Sequence, residues 1–518
     1  MDSNTIQQLL ETVASNTTGA APLLRETHIS WVILCGEFAY KIKKPVNFGF
    51  LDFSSIEQRH HFCEQELLLN RRFAPELYLS VVPISSGPGG MQFDGSGTVI
   101  DYAVKMCRFD ERQLLSEVAA RGELDRPLVR ALGRELASQH STAQHCQPES
   151  PATLLAAMVQ NFKQVRDYSL EQEHSDTLNE VETWTLRRQA ELLSIMEQRE
   201  RDGHVIDGHG DAHLGNIVLI DGAVRLFDCI EFNPSLRIMD SIAEIAFLTM
   251  DLEARGHHQE SHWVLGDYLE YSGDYTGLAL LDLYRSYFAM VRAKVALLRE
   301  PPAHEDITAT PAYADCCRYL SLAQQYCTRP ARFLAITHGV SGSGKSTVAD
   351  KLVAAGGAIR IRSDVERKRL FGLAPEQRSE PADEAQLYSS AMSRRTFTRL
   401  EQLAGEILAA GFAVIVDATF LHRRSRDQFH TLATSLALPF IIIDCVAPAE
   451  QMRERLRERE RHGQDASEAD VQVMENQLAN AQPLGPEELQ YRFEADSAED
   501  GAVLWQGMAD ELELPGPH

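Results

Sequence analysis

No stretch of this sequence approaches the ~18 uninterrupted apolar residues that a membrane-spanning helix needs, which argues against a membrane partner. Positive charge is scarce. Lys and Arg number 50 against 75 Asp and Glu, a net charge of −25. A chain this acidic is a poor non-specific binder of nucleic acid, so an anionic ligand must be held by a local basic site and not by the overall field. No two cysteines form a CxxC pair; there are nine, an odd number, and Cys316 and Cys317 are adjacent. That usage excludes a disulfide framework and fits reduced thiols in a cytoplasm. The opening residues, MDSNTIQQLLETVASN, lack the basic and apolar regions of a secretory signal, so a cytoplasmic location is expected. No internal repeat is found. What remains is an ordinary globular mix, 44% hydrophobic and 24% charged, with room for two to four domains in 518 residues.

Organisation changes along the chain. Residues 28–43 read as two strands around a Gly36-Glu37 turn, followed by a helix from about Ser55 to Arg72. Strands near 77–84 and 98–106 flank SSGPGGMQFDGSG, which has loop composition. After Arg108 the pattern is helical. Leu128, Leu132, Leu136 and His140 repeat at i+4, and helical patterns continue at 151–200, 238–254, 262–271 and 277–299. A β-rich part followed by an α-rich part predicts two lobes, about 25–108 and 109–310, with a hinge near Lys105–Asp110. Residues 311–330 read as a short helix and linker, after a solvated loop that begins at 300. From Arg332 the pattern turns α/β. FLAITHG, FAVIVDATF and LPFIIIDCV are apolar strands with helices between them, which implies a parallel sheet covered on both faces. Residues 331–486 hold 20 basic and 20 acidic residues, whereas 487–518 hold nine acids and one arginine. That last segment reads as a weakly ordered acidic tail.

The most specific motif is Gly339-Val-Ser-Gly342-Ser343-Gly344-Lys345-Ser346-Thr347, a full GxxxxGK[ST] between a strand and a helix. Its glycines turn backbone amides inward around a β-phosphate, and the helix N-terminus adds partial positive charge. Lys345 would reach the β- and γ-phosphates and Ser346 would ligate Mg²⁺. A second metal acid is expected at a neighbouring strand end: Asp417, closing VIVD, or its competitor Asp444, closing IIID. In RSDVERK, Asp364 could take a proton from an acceptor hydroxyl and Arg367, on the same helix face, could hold an acceptor anion. The alternative is an N-cap aspartate before a basic helix. Residues 450–461 carry an arginine at every second position from Arg453 to Arg461. This is either a solvated helix laced with ion pairs or a lid, for which Arg455 and Arg459 are the candidates.

With these motifs, residues 332–480 resemble the small P-loop kinases that include gluconate kinase, polynucleotide kinase and the zeta toxins. The resemblance implies an ATP- and Mg²⁺-dependent kinase in which Asp364 activates the acceptor and Arg367 binds it.

A second constellation reads His209-Gly-Asp211-Ala-His213-Leu-Gly-Asn216, with Asp228 twelve residues on. The order HxDxxxxN followed by a strand-end Asp suits kinase-type phosphoryl transfer. Asp211 would accept or orient the hydroxyl proton, and Asn216 and Asp228 would offer oxygen ligands to Mg²⁺. A hairpin turn at Asp221-Gly222 would bring those two ligands together. A zinc pair of His209 and His213 is the competing reading, without an evident third ligand.

This segment resembles the aminoglycoside phosphotransferase and choline kinase-like family over roughly residues 25–300. The resemblance implies an α+β two-lobed protein-kinase-like domain, here followed by an α/β P-loop NTPase domain with a parallel sheet. That order resembles bifunctional aminoglycoside phosphotransferase/ATP-binding proteins. It also implies a strand lysine for the nucleotide phosphates, Lys41 before Lys43 or Lys44, paired with a helix acid, Glu66 before Glu64. Asp240 matches the family's structural aspartate that braces the catalytic loop. No GxGxxG covers the phosphates, which leaves ATP or GTP open as the N-terminal donor. The expectation is a kinase with two Mg-ATP sites serving small-molecule hydroxyl acceptors such as a sugar or an aminoglycoside-like compound. The rivals are a nucleotide-sensing regulator and a toxin-like or 5′-hydroxyl kinase at the C-terminal end. The balanced charge of 331–486 offers no basic track for a long polynucleotide.

Overall fold

The structure, a computed structural model, describes residues 1–16, 21–47, 51–88, 90–147, 151–168, 170–298, 307–328, 331–380, 382–462 and 466–514. The solvated loop at 300–306, Arg329 and Pro330 of the linker, and the last four residues lie outside the described residues. The chain divides into two compact units. One comprises 1–124, 142–153 and 197–248; the other comprises 125–141, 154–196 and 249–518.

The first unit opens with α1 (Ser3–Asn16), β1 (Leu23–Glu26), β2 (Ser30–Cys35), β3 (Phe38–Lys43), α2 (Ile56–Asn70), β4 (Tyr78–Gly87), β5 (Gly90–Phe93) and β6 (Thr98–Cys107). The strands form an antiparallel sheet in the order β1-β2-β3-β6-β4-β5. A two-residue loop with Gly36 at φ 58° joins β2 to β3, as the sequence predicts. β5 lies inside the stretch read as loop. Its glycine content masked a short strand whose Met91 is buried in the sheet core. Side chains alternate across the sheet. Trp31, Ile33, Ile42 and Ala103 pack with Ile6 and Leu9 of α1, while Lys41 and Lys43 reach Glu66 of α2. Ser55 caps α2 in a reciprocal box with Gln58. Arg59 then locks the helix to β6 through the buried Asp101.

Next come α3 (Leu115–Ala120), α4 (Arg126–Thr142), α5 (Pro151–Arg166), α6 (Gln172–Arg201), β7 (Val205–Asp207), β8 (Ile217–Ile220), β9 (Ala223–Leu226), β10 (Ile238–Asp240) and α7 (Ser241–Ala254). On α4, Val129, Leu132, Leu136 and His140 are buried. His140 is satisfied by Tyr268, 2.9 Å away. The pattern read as one helix over 238–254 starts as β10, which pairs with β7.

The chain continues through α8 (His258–Ser272), α9 (Leu278–Leu297), α10 (Pro311–Gln325), β11 (Leu334–His338), α11 (Lys345–Gly356), β12 (Ile359–Arg362), α12 (Ser363–Phe371), α13 (Glu384–Leu387), α14 (Ser390–Ala410), β13 (Val414–Asp417), α15 (Arg423–Ser435), β14 (Phe440–Cys445), α16 (Ala449–His462), α17 (Val471–Asn480), β15 (Arg492–Ala495) and α18 (Gly501–Glu511). Five strands form an all-parallel sheet in the order β12-β13-β11-β14-β15. β13 and β14 are buried at every residue, as expected for strands covered on both faces.

The reading of 487–518 as a weakly ordered tail does not hold for its described residues. β15 extends the parallel sheet, and Leu504 and Met508 of α18, with its C-cap residue Leu512, enter the core with Val348, Leu352 and Ile441. Those three residues repeat at i+4, an amphipathic period that the acid count obscured. Trp505 lies against Gly356, where a β-carbon would fall 2.1 Å from the indole ring.

Candidate active sites

In the first unit, the hairpin of β8 and β9 turns through Asp221 (φ 50°) and Gly222 (φ 78°) and pairs Ile217 with Leu226. Asn216 and Phe227 therefore meet through a 2.9 Å backbone bond, which places Asp228 beside the loop of His209 to Asn216. Asp228 adopts φ 63°. Its N–H donates to the Tyr78 hydroxyl at 3.0 Å. Asn216 donates to the Asp211 carboxylate at 2.8 Å and to the Asp211 carbonyl at 3.1 Å. The Asp211 and Asp228 side chains keep 36% and 42% of their surface exposed, whereas Asn216 is buried. Two carboxylates are thus presented to solvent, and both are hard oxygen donors suited to Mg²⁺.

Lys41 and Lys43 share Glu66 symmetrically, each at 2.7 Å from one carboxylate oxygen. Lys41 also bonds Asp228, and Lys43 bonds Glu231. Burial works to raise the Glu66 carboxyl, but the two ammonium groups outweigh it and hold it below the usual range. Glu64 is exposed and faces His60. Lys44 pairs with Glu26. His209 is buried; its Nε2–H donates to the Phe227 carbonyl (2.9 Å) and its Nδ1 accepts the Asp211 N–H (3.3 Å). With both nitrogens engaged, the zinc-pair reading has no donor to offer from His209. Among the described residues no cluster of three metal-type ligands exists. The brace expected of Asp240 belongs to Glu244, whose carboxylate accepts the N–H groups of His209 and Gly210. Asp240 instead forms a bidentate pair with Arg199.

In the second unit, the phosphate loop joins β11 to α11 with Gly339, Gly342 and Gly344 at φ 135°, 83° and 98°. These left-handed values favour glycine. At Gly342 a β-carbon would also stand 2.9 Å from the Met452 carbonyl. Lys345 is buried and donates to the Val340 carbonyl at 2.7 Å. Burial lowers its pKa, opposed first by Asp417. Ser346 and Thr347 are exposed. Ser343 Oγ and Asp417 Oδ2 are buried without a hydrogen-bond partner. A buried carboxylate oxygen left without a hydrogen bond beside a phosphate loop fits a cation. Asp444 is already engaged by His338 at 2.7 Å and Arg492 at 2.6 Å.

Asp364 sits inside the first turn of α12 and pairs with Arg367 at 2.6 Å. The N-cap position belongs to Arg362, without a side-chain cap, so Asp364 is not a cap. Arg367 also lies over the Tyr388 ring at 5.2 Å. Lys345, Ser346, Asp364, Arg367 and Asp417 line one cleft of about 770 Å³. Arg455 and Arg459 line it too. Arg455 donates to the Gly342 carbonyl (3.3 Å) and to Ser497 (3.0 Å), and Arg459 donates to the Ala469 carbonyl (2.6 Å). The helix carrying them is not merely solvated, because Met452 and Leu456 are buried against Val340.

A family model described as an AAA domain matches residues 334–484. An uncharacterised protein of Mycobacterium tuberculosis is 30% identical over 448 residues, which is 86% of this chain and 87% of that protein. The chain belongs to its family. Among solved structures, the amicoumacin kinase hAmiN in complex with AMP-PNP, Ca²⁺ and Ami is 13% identical, with a TM-score of 0.41, covering 63% of this chain and 96% of that one. A gluconokinase from Sinorhizobium meliloti is 20% identical, with a TM-score of 0.26, covering 36% and 94%.

Four residues of this family member escaped the sequence reading. Glu231 completes the lysine cluster, and Glu244 holds the His209-Gly210 backbone. Gln477 accepts the N–H of Ser341 at 2.7 Å, and Ser497 reaches the phosphate loop through Arg455. Each meets its partner across a long sequence separation. The acidic residue three positions after Asp228 was the one local signal available.

Proposed function

We propose that the protein is an ATP-dependent phosphotransferase with two Mg-ATP sites, each transferring a γ-phosphoryl group to a hydroxyl of a small molecule. We assign one activity to residues 1–310 and the other to the phosphate-loop part from residue 331 through α18. The observation that carries this reading is that each unit gathers its own lysine and its own pair of aspartates around one cleft or loop. Lys41, Glu66, Asp211, Asn216 and Asp228 lie in the first unit; Lys345, Asp364 and Asp417 lie in the second.

In the first site, Lys41 is oriented by Glu66 toward the nucleotide phosphates. Asp211, steered by Asn216, accepts the acceptor's hydroxyl proton as its oxygen attacks the γ-phosphorus and the bond to the β-phosphate oxygen breaks. In the second site the phosphate loop and Lys345 cradle the phosphates, Asp364 takes the proton and Arg367 holds the acceptor. Bound Mg²⁺, held by Asn216 and Asp228 or by Ser346 and Asp417, would neutralise charge on the phosphates. The protein's own part is positioning and electrostatic complementarity.

The test is a panel of small hydroxyl compounds and short oligonucleotides with labelled ATP. It is run on wild type, Asp211→Ala and Asp364→Asn. Asp364→Asn is expected to keep ATP binding and to slow one transfer by roughly 10²–10⁴-fold, and Asp211→Ala to abolish a different one. Transfer equal to wild type in both variants would overturn the assignment.

A further inference from the structure

The phosphate-loop cleft leaves carbon-rich side chains open while its polar ones are engaged. Tyr388 and Val473 line it and are 44% and 39% exposed. Phe397 lines it as well, anchored edge-to-face on the buried Phe420 at 5.4 Å. The three come from separate places in the chain. Tyr388 precedes α14, Phe397 lies within it, and Val473 sits in the first turn of α17. One exposed apolar side chain is ordinary on any surface, but several gathered in one cleft mark a place where apolar surface is received.

The polar side chains of the same wall already have protein partners. Gln477 accepts the Ser341 N–H at 2.7 Å. Glu468 pairs with Lys368 at 2.9 Å and accepts the Ser379 N–H at 2.9 Å. Asp470 caps α17 on the Val473 N–H at 2.7 Å. Arg455 and Arg459 hold backbone carbonyls. Every hydroxyl of a buried polyol needs a polar partner, and this wall presents apolar surface instead. That surface adjoins the reacting groups: Arg367 lies 5.2 Å over the Tyr388 ring and bonds Asp364 at 2.6 Å.

We propose that the acceptor at the phosphate-loop site carries an aromatic group beside its hydroxyl, and that Tyr388 and Val473 select it by packing against that group. Aromatic rings pack well on one another in offset or edge-on arrangements, and Tyr388 and Phe397 supply two rings. This rests on the reading of the cleft as a kinase site with Asp364 as proton acceptor. The transfer is unchanged: the acceptor oxygen bonds the γ-phosphorus, the bond to the β-phosphate oxygen breaks, and the hydroxyl proton passes to Asp364.

The test uses the full chain carrying Asp228→Ala, which removes the metal ligand proposed for the first site, with labelled ATP and Mg²⁺. Phenyl β-glucoside and adenosine are compared with methyl β-glucoside and gluconate, which carry no aromatic group. At least one aromatic compound is expected to exceed both others by at least about tenfold in kcat/KM, the scale of one base stacked on an aromatic side chain. Tyr388→Ala is expected to remove that preference, mainly through KM, with nucleotide affinity unchanged. Tyr388→Phe keeps the ring and is expected to keep the preference, which separates packing from the phenol hydroxyl. Equal or better transfer to the non-aromatic compounds, transfer to none of the four, or a preference that survives Tyr388→Ala combined with Val473→Ser overturns the proposal. ATP binding that survives Lys345→Ala, or transfer that survives Asp364→Asn, would instead overturn the kinase-site reading on which it rests.

Discussion

At the scale of single residues, Lys41 and Lys43 look alike in sequence and hold the same glutamate, but they do different work. Lys41 reaches the partly exposed Asp228, while Lys43 is sealed between Glu66 and Glu231 at 1% exposure. Lys43→Ala would leave two buried carboxylates short of a counter-charge, a loss of about 3–5 kcal/mol. Lys41→Ala is expected to cost less stability and to weaken nucleotide binding more. Thermal melts beside nucleotide titrations will rank the two, and the reverse ranking would exchange their roles. His209 provides a second test. Burial holds its imidazole below the ordinary value of 6.5, so the unfolded chain takes up the proton first as pH falls. Stability of the first unit is then fully present above about pH 6.5 and declines below it. Melting curves at pH 7.5 and 5.5 should show a larger acid loss for wild type than for His209→Asn. An equal loss would mean that His209 is not held neutral by the fold.

At the scale of elements, the C-terminal helix changes what counts as the phosphate-loop domain. Leu504 and Met508 of α18 and its C-cap residue Leu512 share a core with α11, the helix that begins at Lys345. A chain ended at residue 486 would also lose β15 from the edge of β14. Leu504→Ala is expected to cost about 2–5 kcal/mol in a denaturant titration of the second unit. A fragment of 331–486 that folds and binds ATP like the whole chain would show that α18 is dispensable. The helix was legible in principle from its i+4 apolar spacing, but nine acids in the last 32 residues suggested a tail instead. β5 was hidden in the same way by flanking glycines. By contrast β11, β13 and β14, with unbroken apolar runs, and the Asp221-Gly222 hairpin announce themselves locally.

At the scale of the whole molecule, what the sequence shows of the sites is their contiguous part. The phosphate loop, the HGD segment and Asp228 are short motifs whose spacing carries their chemistry. The groups that contact them are distant in sequence: Glu231 meets Lys43 across 188 residues, and Glu244 meets His209 across 35. No local pattern encodes such pairs, because the fold creates them. The central claim is that each unit holds a complete nucleotide site. The most direct measurement is calorimetric titration of the full chain with a non-hydrolysable ATP analogue in Mg²⁺. Two nucleotides per chain are expected for wild type, with one remaining in Asp228→Ala and one in Lys345→Ala. One nucleotide per wild-type chain, abolished by either substitution, would contradict the account and mean a single composite site.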